Sequence, residues 1–304
     1  MKIKFNIVIA FFVTLLFYSC GESVVDLGSD VYTPKIVVEG YLKPNSKVSN
    51  IVIGRNFPIN EEIQTFNYFI PDAKAKIIDL ETNKQYQLSF NNFTRSYEYF
   101  GNDWIIEYNR SYQLEVEANI DGKTLLTRSI TTTTQKGFRV DRDLSIIGEL
   151  KYNEKDVFGS TKKFNLVFDP SQGTDFYFLC VTALEASVNN FIYDNIFSSF
   201  MHFDERDVAR RIRNFKQNTL YQLNINSYTL GHNFKIDWEN FWFYTDYEVI
   251  LFACDKNFKE YFLTIDRLSE IDGGYHEAML NFEGDGVGVF GSYIADTVYC
   301  RVTK

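Results

Sequence analysis

The sequence predicts a mainly β protein with two β-sandwich-like modules, the first immunoglobulin-like and the second with one or two inserted helices. Short runs of β-branched and aromatic residues recur along the chain, separated by turn signals such as Asp121-Gly122. Apolar and polar side chains alternate over residues 112–118, which is typical of a strand with one solvated face. The 304 residues are 45% hydrophobic and 23% charged, which suits one large domain or two smaller ones.

Residues 1–19 are typical of a lipoprotein signal peptide. A basic start is followed by a nearly uninterrupted apolar stretch over Ile7–Tyr18 and a small residue before Cys20. The stretch is shorter than the roughly 20 apolar residues of a membrane-spanning helix. The pattern predicts cleavage and acylation at Cys20, a lipidated tether over residues 20–34, and attachment to the membrane through lipid alone. A plain secreted protein, or an uncleaved anchor with Cys20 incidental, is the alternative.

The first module is predicted over residues 35–135. Two strand-like runs, Lys76–Leu80 and Gln85–Phe90, flank a polar turn and predict a hairpin. The alternating strand that ends near Ala118 is followed by a tight turn and by a returning strand over Leu125–Thr133. A span of about 100 residues with this pattern matches the size of an immunoglobulin-like module.

The second module is predicted over residues 136–304, with strands interrupted by helices near 204–216 and 257–269. Asp204 is a suitable N-cap for the first helix, and Asp207 three residues later resembles a capping box. Apolar residues of the second helix recur at helical spacing. This stripe is predicted to pack on the sheet of the second module, and its members are Phe258, Tyr261, Phe262, Ile265 and Leu268.

Cys180, Cys254 and Cys300 each lie in an apolar, strand-like run. Three cysteines cannot all pair within one chain, and cysteine behaves as a small buried hydrophobe in such surroundings. The sequence predicts free, buried thiols. A single Cys254–Cys300 disulfide is the alternative, because an extracytoplasmic compartment permits it.

An aromatic cluster is the first candidate for a ligand or partner surface. Aromatic rings stack on sugars and anchor protein interfaces, but they also fill cores. Both interpretations stay open for this cluster, whose members are Trp238, Phe241, Trp242 and Tyr244, with Phe243 between them.

Two further segments are unusual. The glycine-rich segment 281–288 contains Glu283 and Asp285, which could offer oxygens to calcium, but its spacing does not match a calcium loop. A turn or bulge before the last strand is therefore predicted there. Arginines at positions 206, 210, 211 and 213 either form a solvated helix face or pair with acids on a partner.

The sequence predicts no catalytic residue, metal site or cofactor. The three histidines, at positions 202, 232 and 276, lack the spacing of zinc ligands, and no Gly-x-Ser-x-Gly motif marks a nucleophile. Paired carboxylates of a hydrolase stay open, because their separation is a property of the fold. A net charge of −9 argues against a nucleic-acid partner.

An ordered set of segments carries a resemblance to a known family. In this order the chain resembles the Bacteroidetes lipoproteins grouped as domain-of-unknown-function family 4249, although it lacks the proline that often precedes the final glycine-rich segment. The segments are Pro34–Leu42, Arg110–Thr133, Phe164–Leu179, Ala253–Ile265 and Asn281–Tyr293.

The resemblance implies a location and a type of partner, and it carries over no catalytic residue. Proteins of this family are lipid-anchored at the outer membrane and are often encoded near TonB-dependent receptors. The favoured function is therefore a non-enzymatic binding or accessory module beside such a receptor. A surface glycan-binding protein that uses the aromatic cluster is the alternative, followed by a hydrolase with acidic residues.

Overall fold

Strands dominate the computed structural model, which describes residues 32–58, 61, 64–223, 232–265 and 280–304. Within these residues the strands form sheets of seven, six and three members, and the predicted mainly β class is confirmed. Residues 34–304 form one compact unit. The predicted signal peptide, Cys20 and the tether up to residue 31 lie outside the described residues. No helix in the described ranges is long and apolar enough to cross a membrane.

The six-stranded sheet is antiparallel and holds most of the first half of the chain. The predicted strand pair around Asp121-Gly122 is present, and both turn residues have positive φ, of 52° and 75°, as a type I′ turn requires. The strands of this sheet are β3 (Lys74–Asp79), β4 (Gln85–Asn91), β5 (Ser96–Glu98), β6 (Ser111–Ile120), β7 (Lys123–Thr132) and β15 (Glu283–Gly284). Their order across the sheet is β15-β7-β6-β3-β4-β5.

The seven-stranded sheet joins the two ends of the described chain. The strand β16 (Gly286–Thr303) pairs in parallel with β1 (Ile36–Leu42) along its first part and antiparallel with β14 (Asp246–Cys254) along its second. Gly288 has φ +112°, and a Cβ there would lie 2.0 Å from the Val38 carbonyl oxygen, so this approach requires glycine. The remaining strands are β2 (Val52–Arg55), β9 (Gly148–Lys151), β11 (Phe176–Ala183) and β12 (Gln217–Leu223).

The smallest sheet has three strands, and it faces the part of the seven-stranded sheet that contains β11 and β14. Side chains of Phe164 and Leu166 pack in one core with Tyr177 and Leu179 of β11. The two packed sheets form a β-sandwich in the second half of the chain. The strands are β8 (Arg139–Ile146), β10 (Phe164–Asp169) and β13 (His232–Ile236).

The described residues contain two separate sets of buried side chains. One extends from Ile36 to Leu125 and adds Phe290, and the other extends from Val140 to Val302. The break between them lies near the predicted boundary at residue 135. Strand β1, however, packs in the first core while it hydrogen-bonds to the sheet of the second, so the modules share a sheet.

The helices follow their sequence signals closely where the structure describes them. The N-cap Asp204 accepts from the Asp207 N–H at 2.8 Å, and Asp207 completes the predicted capping box. The Phe258 and Phe262 rings lie 5.3 and 5.8 Å from the Phe178 ring of β11, so the predicted stripe contacts the sheet of the second module. No described residue of this helix is buried, however, so the stripe covers the sheet without being enclosed in the core, and Leu268 lies outside the described residues. The helices are α1 (Thr65–Tyr68), α2 (Ile196–Met201), α3 (Glu205–Lys216) and α4 (Lys256–Ile265).

The three cysteines of the module cores are free and buried, which confirms the prediction. The pairing of β14 with β16 shows why Cys254 and Cys300 do not bond. Cys254 lies opposite Tyr293 and Cys300 lies opposite Tyr247, so the two thiols are at opposite ends of the strand pair. A disulfide needs Cα atoms within about 7 Å.

Candidate interaction surface

Of the two interpretations of the aromatic cluster, core packing is confirmed for three of its members. Trp238, Phe241 and Trp242 are buried, and the Trp238 Nε1–H donates to the Lys162 carbonyl oxygen at 2.7 Å. The interpretation of these three residues as an exposed platform is therefore wrong. The physical reason is that the chain after β13 turns inward through a short 3-10 helix. The Trp238 ring then lies 5.6 Å from the Phe164 ring of β10, and the Phe241 ring lies 4.9 Å from the Tyr247 ring of β14.

Tyr244, the fourth member, is half-buried at the margin of this core. Its hydroxyl donates to Asp194 at 3.3 Å, and the Lys304 ammonium lies 5.5 Å from the ring centroid. Burial, and then the Asp194 charge, raises the pKa of Tyr244 to about 12. The phenol is therefore neutral at physiological pH and contributes packing and one hydrogen bond.

Two solvent-exposed helices, α2 and α3, pack on the aromatic core. The Trp242 ring lies 4.7 Å from the Phe215 ring of α3 and 6.3 Å from the Phe197 ring of α2. Phe191 stacks on the same indole at 5.9 Å. The predicted cluster is thus the base of a surface whose exposed side belongs to α2 and α3.

Helix α2 exposes four large apolar side chains within six residues. The exposed fractions are 66% for Ile196, 45% for Phe197, 84% for Phe200 and 59% for Met201. Exposed apolar patches of this kind mark interaction sites more often than isolated exposed side chains do. The sequence signal is the run Ile-Phe-x-x-Phe-Met, which was missed because apolar residues at helical spacing also predict burial.

A buried asparagine fixes the start of α2. Asn195 is fully buried, and its Nδ2–H donates to the carbonyl oxygens of Phe241 at 3.0 Å and Glu239 at 3.2 Å. Its Oδ1 accepts from the Phe197 N–H at 2.9 Å. These bonds hold the apolar helix in place against the aromatic core, so its exposure is a property of the folded state.

Helix α3 adds positive charge beside the apolar helix. Val208 is buried and Ile212 and Phe215 are half-buried, which leaves the arginines on the outer side. Arg210 pairs with Asp207 at 2.8 Å, and the Arg211 guanidinium lies 5.9 Å from the Phe203 ring. We call this combined region the α2–α3 surface: Ile196, Phe197, Phe200 and Met201 with Arg206, Arg210, Arg211 and Arg213.

A concavity lies on the outer face of the six-stranded sheet. It has a volume of about 630 Å3 and is lined by cations that face carboxylates. Glu117 and Glu115 accept from lysines at 2.7 and 2.8 Å, and Glu283 pairs with Arg128 at 2.5 Å. The groove is charge-balanced, because each of these three carboxylates pairs with a cation.

The described residues contain no group of three His, Cys, Asp or Glu side chains that could hold a metal ion. In the glycine-rich segment, Glu283 pairs with Arg128, and Asp285 lies 3.8 Å from Lys35. The predicted bend is present, since Gly284 has φ +85° and precedes β16. His276 lies outside the described ranges, and His202 and His232 are on separate elements.

A protein-family model described as a domain of unknown function, DUF4249, matches residues 22–294. The chain belongs to this family. The match contains the ordered segments of the sequence resemblance and the whole α2–α3 surface. No curated protein matches this DUF4249 member.

Solved structures similar to this DUF4249 member include fibronectin-type domains and an adhesin. The FN1–FN3 domains of chicken CNTN1 match at 11% identity and TM-score 0.27 over 89% of this chain and 65% of that one. A 1.5-MDa bacterial ice-binding adhesin matches at 7% identity and TM-score 0.21 over 90% of this chain and 65% of that one. The chain thus spans about two thirds of the length of each.

Proposed function

We propose that this chain is a non-enzymatic binding module of the bacterial cell envelope that docks a protein partner through the α2–α3 surface. One observation carries the proposal: α2 presents four large apolar side chains to solvent from a base that hydrogen bonds and ring contacts fix in place. Monomeric proteins in water rarely expose contiguous apolar patches that take no part in binding. Their exposure is best explained by a partner that covers them.

The chemistry of the surface indicates an acidic partner with an apolar recess. Phenylalanine, methionine and arginine are enriched in protein interfaces, and the flexible methionine adapts to irregular pockets. Helix α3 carries five basic residues and two acidic ones in a chain whose net charge is −9. The local positive charge therefore selects a partner surface that is rich in carboxylates.

The rigid base favours affinity. Binding costs free energy for every side chain and loop that must be ordered, and a preformed surface reduces that cost. The rings of Trp242, Phe215 and Phe191 pack against one another with centroids 4.7, 5.3 and 5.9 Å apart, which fixes the underside of α3. Phe200, the most exposed ring of α2, is then the natural central anchor of the interface.

We further propose that acylated Cys20 holds the module at the outer membrane, with a TonB-dependent receptor as the class of partner that the family resemblance implies. The basic and apolar N-terminal pattern supports the anchor. Cys20→Ala is expected to abolish lipid labelling and to release the protein from membranes or leave the precursor uncut. Unchanged labelling and unchanged fractionation would contradict the anchor and leave the α2–α3 surface untouched.

The docking proposal is tested by photo-cross-linking from position 201 in intact membranes, with the captured protein identified and then purified. Phe200→Ser and Arg211→Glu are each expected to weaken the purified complex by at least about tenfold, the result of losing about 1.4 kcal/mol. Phe93→Ser is the matched control, because Phe93 is 96% exposed on a distant hairpin. Equal affinity of Phe200→Ser, Arg211→Glu and wild type would refute the surface.

A further inference from the structure

A second exposed apolar element lies on the connection between β9 and β10. The side chains of Val157 and Phe158 are 93% and 89% exposed at the apex of a hairpin. We call residues Asp156–Ser160 the hairpin tip. It is separate in sequence from the α2–α3 surface, so a role of the hairpin tip is independent of the proposed function.

The hairpin tip is an ordered turn. The Asp156 N–H donates to the Ser160 carbonyl oxygen at 2.8 Å, and the Asp156 Oδ1 accepts from the N–H groups of Phe158 at 2.8 Å and Ser160 at 2.9 Å. Gly159 has φ +83°, which a side chain rarely adopts. The network holds Val157 and Phe158 outward, although burying them would be favourable in water.

The base of the hairpin is anchored in the core. Tyr152 is buried, and its ring lies 5.2 Å from the Trp238 ring. The Lys162 N–H donates to the Glu154 carbonyl oxygen at 2.8 Å and closes the two arms. The apex is therefore a rigid projection from the second module.

Positive charge surrounds the apex on both arms. Residues 151–163 hold four lysines against Glu154 and Asp156, in a chain of net charge −9. Lys162 pairs with Glu154 at 2.5 Å, Lys163 pairs with Asp237, and Lys155 donates to the Thr161 hydroxyl. The contacts of Lys155 and Lys162 are solvent-exposed and weak, so these two ammonium groups can turn to anionic headgroups, whereas the contact of Lys163 is partly buried. The lysines are Lys151, Lys155, Lys162 and Lys163.

The shape of the hairpin tip favours a lipid surface over a protein. A stable protein interface buries at least about 1,000 Å2, which two side chains at a convex apex cannot supply. A bilayer interface needs no complementary pocket. Apolar residues enter the acyl boundary, while nearby lysines remain at the level of the phosphates. Each lysine close to an anionic surface adds attraction.

We propose that the hairpin tip inserts into the headgroup region of an anionic phospholipid bilayer, with Val157 and Phe158 below the phosphates and the flanking lysines beside them. This contact orients the second module against a membrane independently of any lipid on Cys20. It is a peripheral insertion of two side chains, and it is reversible.

The test uses co-sedimentation with vesicles of phosphatidylglycerol and phosphatidylcholine, compared with vesicles of phosphatidylcholine alone. The protein used in this experiment begins at Gly21, because the apolar stretch Ile7–Tyr18 would bind vesicles by itself. The truncated protein keeps residues 34–304, which form one compact unit. Wild type is expected to bind the anionic vesicles, and binding is expected to weaken at high salt. Phe158→Ser is expected to weaken binding by about tenfold, and Lys155→Gln by about fivefold.

Phe93→Ser is the matched control, because Phe93 is equally exposed on the β4–β5 hairpin, where Arg95 and Glu98 balance. It is expected to bind as wild type does. The melting temperature of each variant is measured first. It is expected to equal that of the wild type, because the substituted side chains are exposed. Unchanged vesicle binding by Phe158→Ser would overturn the proposal, as would equal losses for Phe158→Ser and Phe93→Ser.

Discussion

The Thr131 hydroxyl donates a 2.5 Å hydrogen bond to Asp255 Oδ2. This bond joins β7 of the six-stranded sheet to the residue that precedes α4. The other carboxylate oxygen of Asp255 accepts from the Phe258 N–H at 3.0 Å and caps the helix. Asp255 also donates its own N–H to the Ser292 carbonyl oxygen of β16 at 2.9 Å, so one residue ties together three elements that belong to both modules.

The first prediction concerns that bond. Thr131→Val keeps the shape of the side chain and removes the donor to Asp255, which leaves a carboxylate short of one partner. We expect a loss of about 1–3 kcal/mol in the free energy of unfolding, measured by urea titration. Thr132→Val, on the exposed side of the same strand, is the control and should cost less than about 1 kcal/mol.

The same variant has a pH signature. Burial raises the pKa of Asp255, and the Thr131 hydrogen bond opposes that rise. A raised pKa in the folded state means that stability from this group is full below the unfolded value of about 3.9 and is lost as pH rises through the folded value. Removing Thr131 raises the pKa further, so the cost of Thr131→Val should grow from pH 4 to pH 7. A cost that is independent of pH would show that the bond does not involve the charged carboxylate.

The second prediction concerns α4. The Phe262 ring lies 5.6 Å from Phe176 and 5.8 Å from Phe178, but it is half-buried rather than enclosed. A fully buried phenylalanine costs about 3–5 kcal/mol when truncated to alanine. We expect about half of that, roughly 2 kcal/mol, for Phe262→Ala in a thermal melt. An unchanged midpoint would mean that the helix contributes nothing to the stability of the second module.

The third prediction concerns a buried ion pair. Arg110 Nη2 lies 2.8 Å from Asp79 Oδ2, and burial alone would raise the pKa of Asp79, but hydrogen bonds from Thr82, Arg110 and Glu81 outweigh it and lower the pKa. The resulting stability is present above the unfolded value and is lost as pH falls through the lowered one. Asp79→Asn should cost about 3 kcal/mol at pH 7.

That cost should shrink as the pH falls below about 4, the value of an unfolded aspartate, and should be smallest once the pH passes below the lowered pKa of Asp79 in the folded protein. Asp246→Asn is the control, because Asp246 pairs with Arg301 at 2.6 Å on the exposed side of the sheet. It should cost less than about 1 kcal/mol. Equal costs for the two substitutions would contradict the assignment of Asp79 as the stabilising partner.

The fourth prediction concerns the thiols. Burial raises the pKa of Cys300 to about 12 and that of Cys254 well above its ordinary value. The thiolate is the reactive form, so the native protein should react slowly with a thiol reagent at pH 8. In urea without reductant, a Cys20→Ser chain should release three thiols. A count of one would reveal a disulfide.

The sequence specified local structure well and long-range structure poorly, for identifiable reasons. The alternation at Tyr112–Ala118 and the capping box at Asp204 depend only on residues that are close in sequence, and both are present in the structure. The parallel pairing of Ile36 with Gly286 depends on a register that no local pattern encodes. The run from Trp238 to Tyr244 has the same composition whether it lies in a core or on a surface, so only the fold could show that it is buried.

The long strand β16 determines when this protein can finish folding. Each core draws side chains from it, Phe290 for the first and Val298 and Val302 for the second. During synthesis, β1 is made early, but its parallel partner β16 follows about 250 residues later in the chain. One edge of β1 is unpaired until then. Such non-local pairing makes folding slow. Neither core can therefore be completed until β16 has been synthesised. Until then, the unpaired edge of β1 is a site at which the chain can aggregate.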